Sequence, residues 1–192
     1  AEYAARQAVA KNLVMVPPFH PELVRGVASY GLELFDAVKN LDRIYVPVGM
    51  GSGICSLITV RDALGLDTEI IGVVATGADA VLQSFRAGHV IETAVAKTFA
   101  DGVACRCPDS AAFQIILKGA SDIVAVSDEQ IRDAMCLYFS SCHTLAEGAG
   151  AASLAAAIAD RDRNIGKKIA VILTGANIDR ADYARVLNGD LP

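Results

Sequence analysis

The sequence predicts an α/β fold, a doubly wound and mostly parallel sheet with helices on both faces. Three observations carry this. Short β-branched runs alternate with helical patterns along all 192 residues. Most of those runs are apolar at consecutive rather than alternating positions, as strands buried on both faces require. In "RIYVPVGMGSGICSLITVRDALG" (residues 43–65), one such run enters a turn with three glycines in five positions, and an amphipathic helix follows. Hydrophobic residues make up 53% of the chain and charged residues 20%, enough to fill one sizeable core and too apolar for disorder. One domain is expected over residues 1–192, without linker, repeat or low-complexity tract.

In order along the chain, "AEYAARQAVAKN" reads as an amphipathic helix and "LVMVP" (13–17) as a strand. A helix follows over 21–38, then the strand "RIYVPV" (43–48) and a helix over 53–64 that ends at "LGL" (64–66). The strand "EIIGVVA" (69–75) leads to a helix over 79–87. Residues 88–109, "GHVIETAVAKTFADGVACRCPD", lack a clean period, and long irregular segments inside compact domains are often functional. The strand "DIVAVS" (122–127) precedes helices over 128–141 and 147–160. The last strand is "KIAVILT" (168–174), with a helix over 179–187. Asp128 and Asp179 read as helix-start residues. In such a fold, ligands gather at the carboxyl ends of the strands.

Composition narrows the partners. Net charge is −5 and no Lys/Arg cluster interleaves with aromatics, which argues against nucleic acid. No apolar run approaches the roughly 20 residues of a membrane span, and the first dozen residues lack a signal-peptide core. Five cysteines, an odd number, fit reduced thiols in a cytoplasm better than a disulfide framework. "CRC" at Cys105–Cys107 and "CH" at Cys142–His143 match no common zinc spacing, so buried structural cysteines are expected.

The glycine turn offers unobstructed backbone N–H groups at the start of a helix, where the macrodipole adds about half a positive charge. A phosphate would suit it; so would a tight turn with close packing. A nucleoside-triphosphate loop needs Lys then Ser/Thr after its second glycine, and "GMGSGICS" has no lysine. A dinucleotide turn needs its third glycine one position later than Gly53 and a carboxylate at the end of the next strand, which reads "IIGVVATG". A smaller phosphorylated cofactor remains, with pyridoxal 5′-phosphate the leading case.

Four motifs then carry a resemblance. "VPVGMGSGI", "KTFADGVACRCP", "LAEGAGAASLAA" and "VILTGANID" occur in the order, and across the extent, of the phosphate loop and later motifs of the fold-type II pyridoxal-phosphate enzymes. The chain thus resembles the large domain of the threonine dehydratase and serine racemase family. The resemblance implies pyridoxal 5′-phosphate as cofactor, cradled by Gly49, Met50, Gly51, Ser52 and Gly53, where family members usually have glycine at the Met50 and Ser52 positions. It implies that Thr174 faces the pyridine nitrogen, making the ring a weaker electron sink than a carboxylate would. It places Glu147 near the ring, and Asp101 and Gly102 near the substrate mouth. His20, His89 and His143 carry no role.

Two departures bear on function. The positions of a divalent-cation site found in some family members read Val74 and Ala80, so no metal is expected there. No Ser-x-Lys-x-Arg segment precedes Arg43, and neither Lys11 nor Lys39 has the required neighbours. The resemblance therefore implies a C-terminal portion whose small domain and Schiff-base lysine lie upstream, with no catalytic residue of its own and little activity alone. No regulatory extension is expected after Pro192. The implied activity is a cytoplasmic ammonia-lyase acting on a β-hydroxy-α-amino acid such as L-threonine or L-serine, in a homo-oligomer. A hydroxyectoine-pathway dehydratase, a serine racemase, or a non-catalytic phosphate-binding module remain open alternatives.

Overall fold

The computed structural model describes residues 2–192, with side chains from Tyr3 onward. Four parallel strands, β1 (Arg43–Pro47), β2 (Glu69–Ala75), β3 (Asp122–Val126) and β4 (Ile169–Val171), form one sheet in the order β3-β2-β1-β4. Eight α-helices accompany them among the described residues: α1 (Glu2–Ala10), α2 (Pro21–Ala37), α3 (Ser52–Ala63), α4 (Ala80–Ala87), α5 (Ser110–Gly119), α6 (Asp128–Cys142), α7 (Gly148–Ala159) and α8 (Arg180–Leu187).

The pleat divides the core in two. Tyr45, Ile71, Val73 and Ala75 pack beneath α6, α7 and α8. Their neighbours Ile44, Val46, Ile70 and Val74 pack against α2, α3, α4 and α5. Burial on both faces explains the unbroken apolar runs in β1 and β2. Helix α7 touches all four strands. Its residues Gly148 to Ala152 are small and buried, which lets its backbone sit close to the sheet.

Chain order fixes where a ligand can enter. From β1 the chain moves one way, to β2 and β3, and then returns to place β4 on the other side of β1. The crevice beyond the carboxyl ends of β1 and β4 is thus the topological switch point, where open sheets bind ligands. Tyr45 pairs with Val171, and the amide of Ile172 donates to Tyr45 O at 3.0 Å. Beyond that level β1 continues into Gly49 and β4 into Thr174.

At the opposite end, a polar network anchors β1. Arg43 donates to Glu69 (Nε–Oε2, 2.7 Å) and to Asn164 Oδ1 (2.9 Å), and the fully buried Tyr45 hydroxyl donates to Asp160 Oδ2 at 3.0 Å. Arg43 carries charge into an otherwise apolar layer, and each of its bonds ends on an oxygen that needs a donor.

Three expectations are corrected. Residues 13–17 form no strand: Val14 is 92% exposed and Val16 66%, and among the described residues no strand lies beside them. An apolar run without a partner has nowhere to place its ladder hydrogen bonds. Helix α5 was not expected. Its N-cap Asp109 accepts from the amides of Ala111 and Ala112, and Phe113 and Ile116 bury its inner face. Cys107 and Cys142 are exposed, while Cys55 and Cys105 are buried as expected. Asp128 begins α6 as expected, and Ser127 before it is the cap, accepting from the Gln130 amide in a capping box.

The irregular segment is tied down along its length. The Ile91 amide donates to Ser84 Oγ (2.8 Å), Thr93 N to Arg106 O (2.9 Å) and Lys97 N to Gly77 O (2.7 Å). It contains a 3-10 turn, Asp101–Val103. No helix is long and apolar enough to cross a membrane among the described residues.

Candidate functional site

The glycine turn sits at the switch point and opens α3. Gly51 is the N-cap, with φ +99°, a conformation that an L side chain resists. A Cβ at Gly49 would collide with the carbonyl oxygen of Gly102, so the turn and the Asp101–Val103 segment touch backbone to backbone. The first amides of α3 have no acceptor inside the helix and aim with its dipole toward the crevice. Behind them, the Tyr30 and Ser56 hydroxyls both donate to Gly53 O, at 2.9 and 2.7 Å. Burial pushes the Tyr30 phenol up to about 12, the Ser56 hydrogen bond opposing it only in part, so it stays a neutral donor.

These groups share one cleft of about 540 Å³ with the end of β4. Its lining brings together Gly49, Met50, Gly51, Ser52, Gly53, Gly102, Glu147 and Thr174, together with Val27, Tyr30 and Leu173. Asp101 lines a separate neighbouring cleft of about 260 Å³, with Asn177, Asp179 and Asp182. Gly102 and Glu147 belong to both. Met50 turns its thioether toward Cys105, with Sδ 3.9 Å from Sγ.

Glu147 is the N-cap of α7 rather than a member of its first turn, and its side chain caps no amide of that helix. Its carboxylate instead accepts from the Asn177 amide at 3.1 Å, and its own amide donates to Gly175 O at 3.1 Å. A Cβ at Gly175 would strike that carboxylate. Glu147 thus clamps the turn that follows Thr174. Sequence reasoning missed Tyr30 in the cleft, since a tyrosine on an amphipathic helix reads as core packing. It also missed the clamp, because Glu147 and Asn177 lie 30 residues apart.

Donor chemistry fits a phosphate ester at the glycine turn: free amides and a helix start supply hydrogen bonds and partial positive charge without a bulky side chain in the way. Val27, Tyr30 and Leu173 give the cleft apolar lining that suits a planar ring, and Thr174 lines it as well.

Comparison with known proteins agrees with this chemistry. Residues 1–175 match the family model described as pyridoxal-phosphate dependent enzyme. The chain is 31% identical over 191 residues to L-threonine ammonia-lyase of Thermotoga maritima, covering 99% of this chain and 47% of that protein. It is 31% identical over 179 residues to serine racemase of Schizosaccharomyces pombe, covering 93% and 55%. Among solved structures, the processed form of threonine deaminase isoform 2 from Solanum lycopersicum superposes with TM-score 0.92 at 27% identity, covering 98% of this chain and 56% of that one. Maize serine racemase gives 0.88 at 26%, covering 97% and 59%. The chain spans about half the length of the curated relatives it matches. With the family model matched over most of its length, the chain belongs to the pyridoxal-phosphate dependent enzymes.

Proposed function

We propose that the protein carrying this chain is an ammonia-lyase that converts a β-hydroxy-α-amino acid, of the L-threonine or L-serine type, into a 2-keto acid and ammonia. The observation that carries this reading is the shared cleft at the switch point, lined by the glycine turn together with Glu147 and Thr174. Relatives named as threonine ammonia-lyase and L-threo-3-hydroxyaspartate ammonia-lyase support the reaction class.

When bound, pyridoxal phosphate supplies a conjugated ring that withdraws electrons from the substrate's Cα. The amides between Gly49 and Gly53 would hold its phosphate, with α3 adding its dipole. Thr174 would offer a hydroxyl to the ring nitrogen, which a hydroxyl can hydrogen-bond but not keep protonated as a carboxylate would. Glu147 fixes the turn behind Thr174. Gly102 borders the cleft on the substrate side, while Asp101 lines the adjoining cleft that shares Gly102 and Glu147 with it. No lysine lines the cleft among the described residues. We assign the amine that anchors the cofactor and moves the Cα proton to a part of the protein outside these 192 residues, and with it the small domain. A cytoplasmic homo-oligomer completes the proposal; the odd number of cysteines, five, suits a reducing compartment.

The test is a steady-state assay of the intact protein with L-threonine and L-serine, measuring keto acid, ammonia and D-serine. Keto acid as the main product supports the lyase. D-serine as the main product replaces it with a racemase, the reading favoured by the serine racemase relatives. Neither product, with pyridoxal phosphate bound, refutes both.

A further inference from the structure

The edge strand β4 lacks the residues that usually guard an edge. It pairs with β1 on one side, and among the described residues no strand lies on the other. The register sets Tyr45 opposite Val171, and Ile172 donates to Tyr45 O. In a parallel ladder the backbone of Val171, and of Ile169 two residues before it, therefore turns away from β1. Each presents an N–H and a C=O to whatever lies outside. Exposed edges are commonly guarded by charged side chains or proline. Residues 169–173 read Ile-Ala-Val-Ile-Leu, with neither.

The side chains repeat the signal. Leu154, Ala157 and Ile158 of α7 share an apolar cleft of about 450 Å³ with Ile169 and Val171 of β4. Leu154, Ile169 and Val171 pack on the core beneath α7 yet are only partly buried, and Ile158 is 43% exposed. An unpaired backbone edge and an uncovered apolar cleft on one strand are the two halves of a strand-addition site. The edge supplies main-chain hydrogen bonds, and the cleft receives alternate side chains. What could cover it follows from length. The chain spans about half the length of the curated relatives it matches, so a protein of that size holds about as much chain again outside these residues. A segment of the same polypeptide reaches the edge at an effective concentration of about millimolar. A second copy would bring only the same short stretch, residues 169–173.

We propose that an apolar, extended segment from the part of the protein outside these 192 residues adds a further strand along β4. It pairs with the backbone of Ile169 and Val171 and lays alternate side chains into the α7 cleft. One sheet is then completed by two separate stretches of one polypeptide. This shares with the proposed function only the placing of further chain outside these residues. It does not depend on the reaction, and its test needs neither substrate nor product.

The experiment is hydrogen–deuterium exchange of the intact protein, read at single amides across β4, together with a photo-crosslinker, benzoylphenylalanine, in place of Ile158. The Ile169 and Val171 amides should exchange about a hundredfold or more below the rate of unstructured chain. The crosslink should join Ile158 to a peptide from outside residues 1–192 of the same polypeptide. Exchange of both amides near the unstructured rate would leave the edge free and overturn the proposal. A crosslink confined to residues 1–192 would do the same, and crosslinks between two molecules would give the edge to a second copy and overturn it as well. Val171→Pro against Val171→Ala supplies a second reading, because proline is tolerated at an edge position whose N–H faces solvent and not at a paired one. The proline variant should unfold at a clearly lower urea concentration than the alanine variant, and equal midpoints would overturn the proposal. Should Val171→Pro fail to fold, exchange in the wild-type protein and the Ile158 crosslink decide the outcome.

Discussion

Gly51→Ala paired with Gly65→Ala separates the cost of backbone strain from the loss of a binding turn. Both glycines have positive φ, +99° and +63°. For Gly65 a new Cβ would meet nothing within 4 Å. For Gly51 it would lie 3.1 Å from Ala112 Cβ and 3.4 Å from Ile116 Cδ1. Left-handed backbone costs an L residue about 1–2 kcal/mol, so Gly65→Ala should lose about that in a denaturant titration. Gly51→Ala carries the same strain plus crowding against α5, which adds about 1 kcal/mol. Relief of that crowding must tilt the first amides of α3. Losing one charge-assisted hydrogen bond to the phosphate costs about 1.5–3 kcal/mol, or about a 10- to 100-fold weaker Kd for pyridoxal phosphate. The assay is absorbance titration of the intact apoprotein with the cofactor, alongside urea unfolding. Equal cofactor Kd values in Gly51→Ala and Gly65→Ala, with both destabilised, would refute the reasoning.

Three further outcomes are expected. Tyr30→Phe should weaken cofactor binding only a few-fold and cost about 1 kcal/mol of stability, because Ser56 still donates to Gly53 O; a loss beyond a hundredfold in the same titration would mean that Tyr30 touches the ligand itself. Glu147→Gln keeps the shape of the clamp but removes its charge, which should lower kcat about tenfold through a looser Thr174 turn while leaving phosphate affinity unchanged; unchanged kcat would free Glu147 of that role. Burial raises the Glu69 carboxyl, but hydrogen bonds from Arg43 and Lys167 outweigh it and hold the group below its ordinary value of 4.5. A depressed folded value means its contribution is complete above that pH and is lost as pH falls through the folded value. With Glu69 41% exposed, the effect should be under about 1 kcal/mol, and Glu69→Gln should flatten the acid limb of a stability profile between pH 5 and pH 3 by about that much.

Much of this architecture is written locally. The span 69–75 was readable to the residue because its apolar run is long and bounded by Asp67 and Gly77. The glycine turn was readable because strand, glycines and helix are adjacent in sequence. Residues 13–17 have the same local signature as a strand, and what they lack is a neighbour, which local pattern does not encode. Helix α5 carried its signal in Asp109 and the Phe113–Ile116 spacing, but it follows directly on an irregular stretch that masked its start. The bonds of Glu147 with Asn177, Tyr45 with Asp160 and Arg43 with Asn164 join positions 30 to 121 residues apart. Each partner alone is an ordinary polar residue, and only the fold makes it a constraint. Asp101 illustrates the converse: the motif places it beside Gly102, yet a one-residue step around the 3-10 turn directs it into the adjoining cleft.

A crystal structure of the intact protein grown with pyridoxal phosphate would weigh the assignment of this crevice most directly. The account predicts the phosphate oxygens about 3 Å from amides of the Gly49–Gly53 turn and the Thr174 hydroxyl at hydrogen-bond distance from the ring nitrogen. A phosphate seated elsewhere, or a Thr174 hydroxyl turned away from the ring, would contradict it.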